Sequence, residues 1–235
     1  MPTFLFLVAI CLLVAASILL ETDASPPPKP NKNTKLEKGP SSAGNAESTP
    51  ALQLTRENQW DSAARHKDLE FKDAKQLIVQ HNGEEKRFRS VRAKLPIPND
   101  GFFYYEVTIL KVTDHGISIG LATEQMPVDE WVGESKGTYG YSNFGEFWGH
   151  KFDFNRKRRP LGGKPKFGEG NVVGCGVDLK SRQIIYTHNG VRLETAGLRV
   201  GAGELYPCIS LYAPGTKIEA NFGTKEFRFN IANGI

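Results

Sequence analysis

Past residue 52, apolar residues recur at every second position, which is the period of a β-strand, and rarely at the period of a helix. Residues 102–110 show this pattern best, because aromatic and β-branched side chains dominate them. Similar apolar runs, separated by glycine and proline, occur at 77–81, 87–93, 117–122, 172–179, 184–187, 205–212 and 218–222. Many short strands without alternating helices predict an all-β protein, a two-sheet antiparallel β-sandwich.

Local signals refine this prediction. Asn189-Gly190 separates two strand-like runs and supplies the two positive φ values that a tight hairpin turn requires. Helical signals are few, and one short helical turn is predicted at 62–68 and another at 129–132. The folded domain is predicted at 52–231, long enough for one sizeable core, and a short tail follows at 232–235.

The first fifty residues are different in kind. Residues 4–20 are apolar and uncharged, and small residues and then prolines follow, which predicts a cleaved signal peptide of residues 1–24. The alternative is a membrane anchor, because the apolar run is nearly long enough to span a bilayer. Residues 25–51 are rich in Pro, Lys and Ser and poor in apolar side chains, so they are predicted to form a disordered linker.

Positive charge is concentrated in one short stretch. The chain has a formal net charge of +4, and residues 151–166 contain seven Lys or Arg residues against one Asp. Because this charge is a local patch rather than an extended surface, no nucleic-acid partner is predicted. No membrane contact is expected after signal cleavage, and the domain is expected to be a monomer.

The cysteines and glycosylation motifs contrast with the predicted export. After signal cleavage only Cys175 and Cys208 remain, and both lie in strand-like apolar runs. Two such residues predict buried free thiols rather than a disulfide framework. The chain contains no Asn-x-Ser/Thr sequon. The folded part therefore has the chemistry of a cytosolic protein behind a secretory signal.

The sequence gives no positive sign of catalysis. His-Glu-x-x-His and paired Cys-x-x-Cys zinc motifs do not occur, and the five histidines are scattered. Residues 174–176 begin like a dinucleotide-binding loop, but the residues after them continue a strand instead of opening a helix. No serine-hydrolase site is predicted. We therefore predict that the chain is not an enzyme and holds no cofactor or metal.

Short motifs in a fixed order resemble those of SPRY domains. They are FYYEV at 103–107, IGLA at 119–122, WVG at 131–133, GTYGY at 137–141, FGEGNVVGCGVD at 167–178, THNG at 187–190, LYP at 205–207 and EANFG at 219–223. The set is most similar to the SPRY domain of Ran-binding protein M. A signal peptide before such a domain resembles the secreted SPRY effectors (SPRYSEC family) of plant-parasitic cyst nematodes.

This resemblance implies a function that the composition alone does not. The protein would be secreted and then act in the cytoplasm or nucleus of a host plant cell. There it would bind an intracellular host protein, such as an immune receptor or a ubiquitin-ligase component, and modulate immune signalling. The alternative is an extracellular lectin-like or wall-binding module.

The resemblance also implies where a partner would bind, because SPRY domains use loops at one end of the sandwich. Ala213 takes the place of a Trp with which some relatives hold an Asn-rich peptide. The implied partner-binding residues are Asn82, Glu84, Asp114, His115, Val128, Trp131, Val132, Ser135, Tyr212, Ala213 and Pro214.

The basic run has three interpretations. Arg156, Lys157, Arg158 and Arg159 are consecutive and precede a proline. They could form a solvated loop, a nuclear-import signal or a contact for an acidic partner.

Overall fold

The computed structural model describes residues 58–152 and 157–233. The predicted signal peptide, the predicted linker and Arg156 lie outside the described residues. The described part contains fourteen β-strands and one 3₁₀ turn, Ile231–Asn233. None of its helices is long and apolar enough to cross a membrane. The strands are β1 (Trp60–Arg65), β2 (Leu69–Phe71), β3 (Ile78–His81), β4 (Arg89–Ala93), β5 (Phe102–Lys111), β6 (Ile117–Ala122), β7 (Tyr139–Ser142), β8 (Glu146–Phe152), β9 (Arg158–Leu161), β10 (Val172–Asp178), β11 (Gln183–His188), β12 (Val191–Arg192), β13 (Tyr206–Leu211) and β14 (Lys217–Asn221).

The strands form two antiparallel sheets of seven strands each, which confirms the predicted all-β fold. The first sheet has the order β1-β4-β13-β6-β7-β8-β9, and the second has the order β12-β11-β10-β5-β14-β3-β2.

The two predicted helical turns are wrong. The first overlaps β1, which pairs with β4 around the buried Trp60, and the second is a series of turns. Pairing and burial in the sheet outweigh the weak local helix signal.

The core lies between the sheets and is rich in aromatic rings. Tyr105 from the second sheet stacks on Phe222 with ring centroids 5.5 Å apart, and Phe222 meets Trp60 of the first sheet edge-on at 5.2 Å. The hydroxyl of Tyr105 crosses the core and donates to the carbonyl of Gly120 in β6 at 2.7 Å. Apolar burial and the hydrogen bonding of a buried hydroxyl therefore connect the sheets.

The predicted Asn-Gly hairpin is confirmed. Asn189 has φ 52° and Gly190 has φ 80°, and the turn joins the paired strands β11 and β12. The chain after Asn82-Gly83 does something different, since β3 belongs to the second sheet and β4 to the first. That loop therefore passes from one sheet to the other.

Both described cysteines are free and buried, as predicted. Cys175 lies in β10 and Cys208 lies in β13. Burial raises the pKa of both thiols above the usual range, because an apolar interior disfavours the thiolate.

A buried carboxylate holds the C-terminal segment against the outer face of the second sheet. Glu106 in β5 is 4% exposed, and it accepts hydrogen bonds at 2.9 Å from the Tyr104 hydroxyl and from the backbone N–H groups of Arg228 and Phe229. The ring of Tyr104 also packs against Phe229 at 5.4 Å. This explains why the outward-facing positions of β5 are buried.

We expect Glu106→Gln to lower the free energy of unfolding by about 2 kcal/mol, because hydrogen bonds to a charged group contribute about 1.5–3 kcal/mol each and an amide replaces one acceptor with a donor. Urea denaturation measures this change. Glu226→Gln, at an exposed position, is the matched control and should leave stability nearly unchanged. Equal stability of the two variants would contradict the assigned role of Glu106.

Candidate functional site

Loops that are far apart in sequence meet at one end of the sandwich. The backbone N–H of Tyr212 donates to the carbonyl of Gly116 at 2.9 Å, and the Thr113 hydroxyl donates to the Pro214 carbonyl at 2.7 Å. Gly116 has φ 107°, and a Cβ there would lie 2.3 Å from the Cβ of Tyr212, so the close approach requires glycine. Three connections share this end: 82–88, 112–116 and 212–216.

Four aromatic rings, here called the aromatic ladder, form a continuous row at this end. Phe88 lies between Tyr212, at 5.1 Å, and Trp131, on which it stacks at 4.7 Å with planes 23° apart. Trp131 then meets Trp148 of β8 edge-on at 4.9 Å. All four side chains are partly exposed, so the rings pack against one another and also form part of the protein surface.

The long connection from β6 to β7, residues 123–138, carries Trp131 and is fixed by buried serines. Ser210 in β13 accepts from the backbone N–H of Val132 at 2.8 Å, and Ser118 in β6 donates to the carbonyl of Val132 at 2.8 Å. The hydroxyls of Ser210 and Ser90 lie 2.7 Å apart. These three serines are at most 1% exposed, and the loop satisfies their hydrogen bonds.

Val132 serves as the apolar anchor of this loop. Its side chain is fully buried in a small cluster with Ala122, Met126 and Cys208. It therefore lies beneath the loop, whereas the neighbouring Trp131 points to the surface ladder.

A cleft of about 560 Å³ opens beside the aromatic ladder. Three of the residues predicted to bind a partner line it, namely Trp131, Ser135 and Tyr212. Sequence reasoning missed the remaining lining residues, which are Lys86, Arg87, Phe88, Asp129, Glu130 and Glu134. An aromatic residue between basic ones in Lys86-Arg-Phe-Arg89 was the available signal for Phe88.

Of the other predicted residues, Asp114 forms an ion pair with a lining residue, with its carboxylate 2.6 Å from Lys86 Nζ. His115 is exposed and packs near Phe144, with ring centroids 5.5 Å apart.

The remaining predicted residues lie outside the lining. Ala213 is buried, while Glu84 is exposed. Val128 accepts a backbone hydrogen bond from Ser90 at 2.7 Å, and Asn82 donates to Glu70. Pro214 accepts the Thr113 hydroxyl described above.

The polar groups of the cleft are held by local bonds. The hydrogen bond and ion pair with Asp114 raise the pKa of Lys86 and lower the pKa of Asp114. The indole N–H of Trp131 donates to Glu134, and the hydroxyl of Ser135 donates to Glu130 at 2.6 Å.

Sequence reasoning overlooked one catalytic pattern, because residues 116–120 match the Gly-x-Ser-x-Gly motif of serine hydrolases. Ser118 lies inside β6, is fully buried and donates to Val132. A Cβ at Gly120 would lie 1.8 Å from the carbonyl oxygen of Tyr139, so that glycine serves strand packing. Within residues 58–152 and 157–233, no three His, Cys, Asp or Glu side chains are grouped so as to hold a metal.

Arg158 of the basic run is part of the structure around the cleft. It lies in β9, and its Nη1 donates to the carbonyls of Gly133 at 3.0 Å and Thr138 at 3.1 Å. The interpretation of the run as a solvated loop is therefore wrong for Arg158, because this residue lies in a strand and donates two hydrogen bonds. Lys157 and Arg159, beside it, are exposed.

Residues 102–225 match the SPRY domain family. The chain belongs to the SPRY domain family. SPRY domains are protein–protein interaction modules. The predicted similarity to Ran-binding protein M is confirmed, because the chain matches Ran-binding proteins 9 and 10.

Two relatives and one solved structure illustrate the match. The chain is 37% identical to Ran-binding protein 9 of Xenopus laevis over 157 residues, which cover 66% of this chain and 28% of that protein. It is 36% identical over 159 residues to the Ran-binding proteins 9/10 homolog of Drosophila melanogaster, covering 66% of this chain and 16% of that protein. The crystal structure of the SPRY domain of human HERC1 shares the fold, with a TM-score of 0.56 and 19% identity over 68% of this chain and 96% of that one.

We expect Arg158→Met to destabilise the SPRY domain by about 2 kcal/mol, because two carbonyls near the cleft lose a charged donor. Amide hydrogen exchange should also speed up in residues 131–138. Lys136→Met, at an exposed position of the same loop, is the matched control and should stay within about 0.5 kcal/mol of the wild type in urea denaturation. If both variants behave like the wild type, Arg158 does not hold this loop.

We expect His150 to make the SPRY domain less stable in acid. Burial, and secondly the charge of Arg158, lower the pKa of His150 to about 4. The unfolded chain therefore takes up this proton near pH 6.5, whereas the folded chain does so only near pH 4. The contribution, up to about 3 kcal/mol, is fully present above pH 6.5 and is lost as pH falls toward 4.

Urea denaturation between pH 7 and pH 4 measures this effect. His150→Gln should reduce the pH dependence without abolishing it, because burial also lowers the pKa values of His66, His81 and His188. A wild-type slope in His150→Gln would show that other groups cause the acid sensitivity.

Proposed function

We propose that the chain is an exported effector whose SPRY domain binds an intracellular host protein through the cleft and so modulates plant immune signalling. The aromatic ladder beside the cleft is the observation that carries this proposal. Large aromatic side chains on a rigid scaffold are the usual anchors of protein interfaces. Here Phe88, Trp131 and Tyr212 line one cleft, and buried serines fix the loop that carries Trp131.

Binding, rather than catalysis, is the proposed output of the domain. Ser118, which matches a nucleophile motif, is buried and hydrogen-bonded inside a strand. The cleft contains exposed carboxylates and aromatic rings, which suit recognition of a protein segment. Partner identity is proposed only as a class: a host protein such as an immune receptor or a ubiquitin-ligase component.

Two features of the sequence support export followed by action inside a host cell. The apolar run at 4–20 has the character of a signal peptide. The domain behind it lacks sequons and keeps two buried free thiols, as proteins of reducing compartments do. The resemblance to secreted SPRY effectors of cyst nematodes connects these two observations. The basic run at 156–159 remains a candidate import signal.

We expect Trp131→Ala and Tyr212→Ala to weaken partner binding by about 30-fold or more, because loss of a central aromatic anchor costs about 2 kcal/mol. Affinity purification from plant cytosol, with a tagged chain that lacks residues 1–24, identifies the partner, and titration of that partner measures the loss. Val191→Ser, at an exposed hairpin position, is the control.

Thermal denaturation of each variant separates lost contacts from lost folding. Unchanged binding by folded Trp131→Ala and Tyr212→Ala variants would exclude the cleft as the site. Imaging the same tagged chain in plant cells tests the compartment. Binding to a glycan array without any cytosolic partner would instead indicate an extracellular module.

A further inference from the structure

The two sides of the cleft differ in how their charges are compensated. One side carries Lys86 and Arg87, and the other carries Asp129, Glu130 and Glu134. The three acidic residues belong to one loop and flank Trp131 in sequence, and all three are exposed. Any ligand lying against the aromatic ladder therefore lies next to these carboxylates.

The basic side is already neutralised by acids outside the lining. Lys86 pairs with Asp114 at 2.6 Å, and Arg87 Nε pairs with Glu85 at 3.1 Å. Each of these cations thus brings its own carboxylate to the cleft, and little positive charge is left to attract an anionic ligand.

The acidic side keeps its negative charge. Glu130 accepts from the neutral Ser135 hydroxyl and Glu134 accepts from the neutral Trp131 indole, and neither bond cancels the charge. Arg158, on the neighbouring β9, interacts electrostatically with Glu134, but its Nη1 donates to backbone carbonyls. On the side of Asp129 a titratable neighbour is His66, whose pKa burial lowers, so it adds little positive charge at neutral pH. The cleft is therefore a hydrogen-bond acceptor with negative charge.

The aromatic ladder determines which kind of cation fits. The indole N–H of Trp131 is already used by Glu134 and that of Trp148 by Glu146, so both indoles offer apolar ring surface rather than a free donor. A long side chain can lay its methylene stem along such rings while its charged end reaches carboxylates. Arginine adds a planar group with five donors that matches carboxylate geometry.

We propose that the cleft selects a partner segment that carries an arginine or lysine, with its stem against Phe88 and Tyr212 and its charge against Asp129 and Glu130. This inference rests on the proposed function of the cleft as a protein-binding site and adds the chemistry of what it binds. An acidic segment, which the basic side would suggest at first sight, is disfavoured because its charge would meet the carboxylates of Asp129 and Glu130.

A random dodecapeptide library displayed on phage, selected on the immobilised full chain, tests the proposal. We expect binders that share one arginine or lysine position. The strongest binder, made as a fluorescent peptide, should lose about 10-fold in affinity when that residue becomes citrulline or norleucine. The double variant Asp129→Asn with Glu130→Gln should cause a similar loss, and Glu226→Gln, on the outer face of the other sheet, should cause none.

A charge reversal sharpens the test. Glu130→Lys should weaken the basic peptide and bind a version in which its basic residue is replaced by glutamate. Binders that Trp131→Ala and Tyr212→Ala abolish but that share no basic residue would overturn the charge selectivity and leave the cleft as the binding site. Binders insensitive to both aromatic variants, or no binders at all, would overturn the cleft assignment and this proposal with it.

Discussion

Three buried serine hydroxyls on the outer face of the first sheet decide where the binding surface lies. Ser90, Ser118 and Ser210 come from three neighbouring strands, and their polar atoms are out of reach of solvent. Buried hydroxyls need partners, and the loop after β6 supplies them: both backbone groups of Val132 bond Ser118 and Ser210, and the Glu130 carbonyl accepts from Ser90. Lifting this loop would leave several polar groups unpaired at once. Trp131, one residue earlier, is thereby held against Phe88, and the same loop forms the acidic side of the cleft.

Much of the fold could be predicted because its signals are local. The period-two run at 117–122 coincides with β6, and Asn189-Gly190 forms the expected turn. Strands such as β9 were missed because Arg-Arg-Pro-Leu has no strand pattern of its own and is held by pairing with β8. Tertiary context, not local preference, determines such edge strands.

The candidate site shows the same division. Trp131 and Tyr212 follow from family motifs, but Phe88 becomes part of the cleft only through the pairing of Arg89 with Leu211, which a single sequence does not display. The sequence also could not show that the Val132 side chain points inward, because this depends on its packing in a buried cluster with Cys208. In the sequence Arg158 is one of several adjacent basic residues. In the structure it donates hydrogen bonds to two backbone carbonyls, so it also stabilises the fold. An import receptor that drew out this run would have to break those contacts.

The two buried thiols have a consequence for where this fold can persist. Neither Cys175 nor Cys208 is in a disulfide, and both are shielded from solvent and from oxidants. Stability then does not depend on the thiol–disulfide balance of the surroundings, because no covalent cross-link between these cysteines is made or broken as that balance changes. A domain built this way keeps the same structure in an oxidising lumen and in a reducing cytosol. It can pass between compartments without refolding chemistry or a disulfide isomerase.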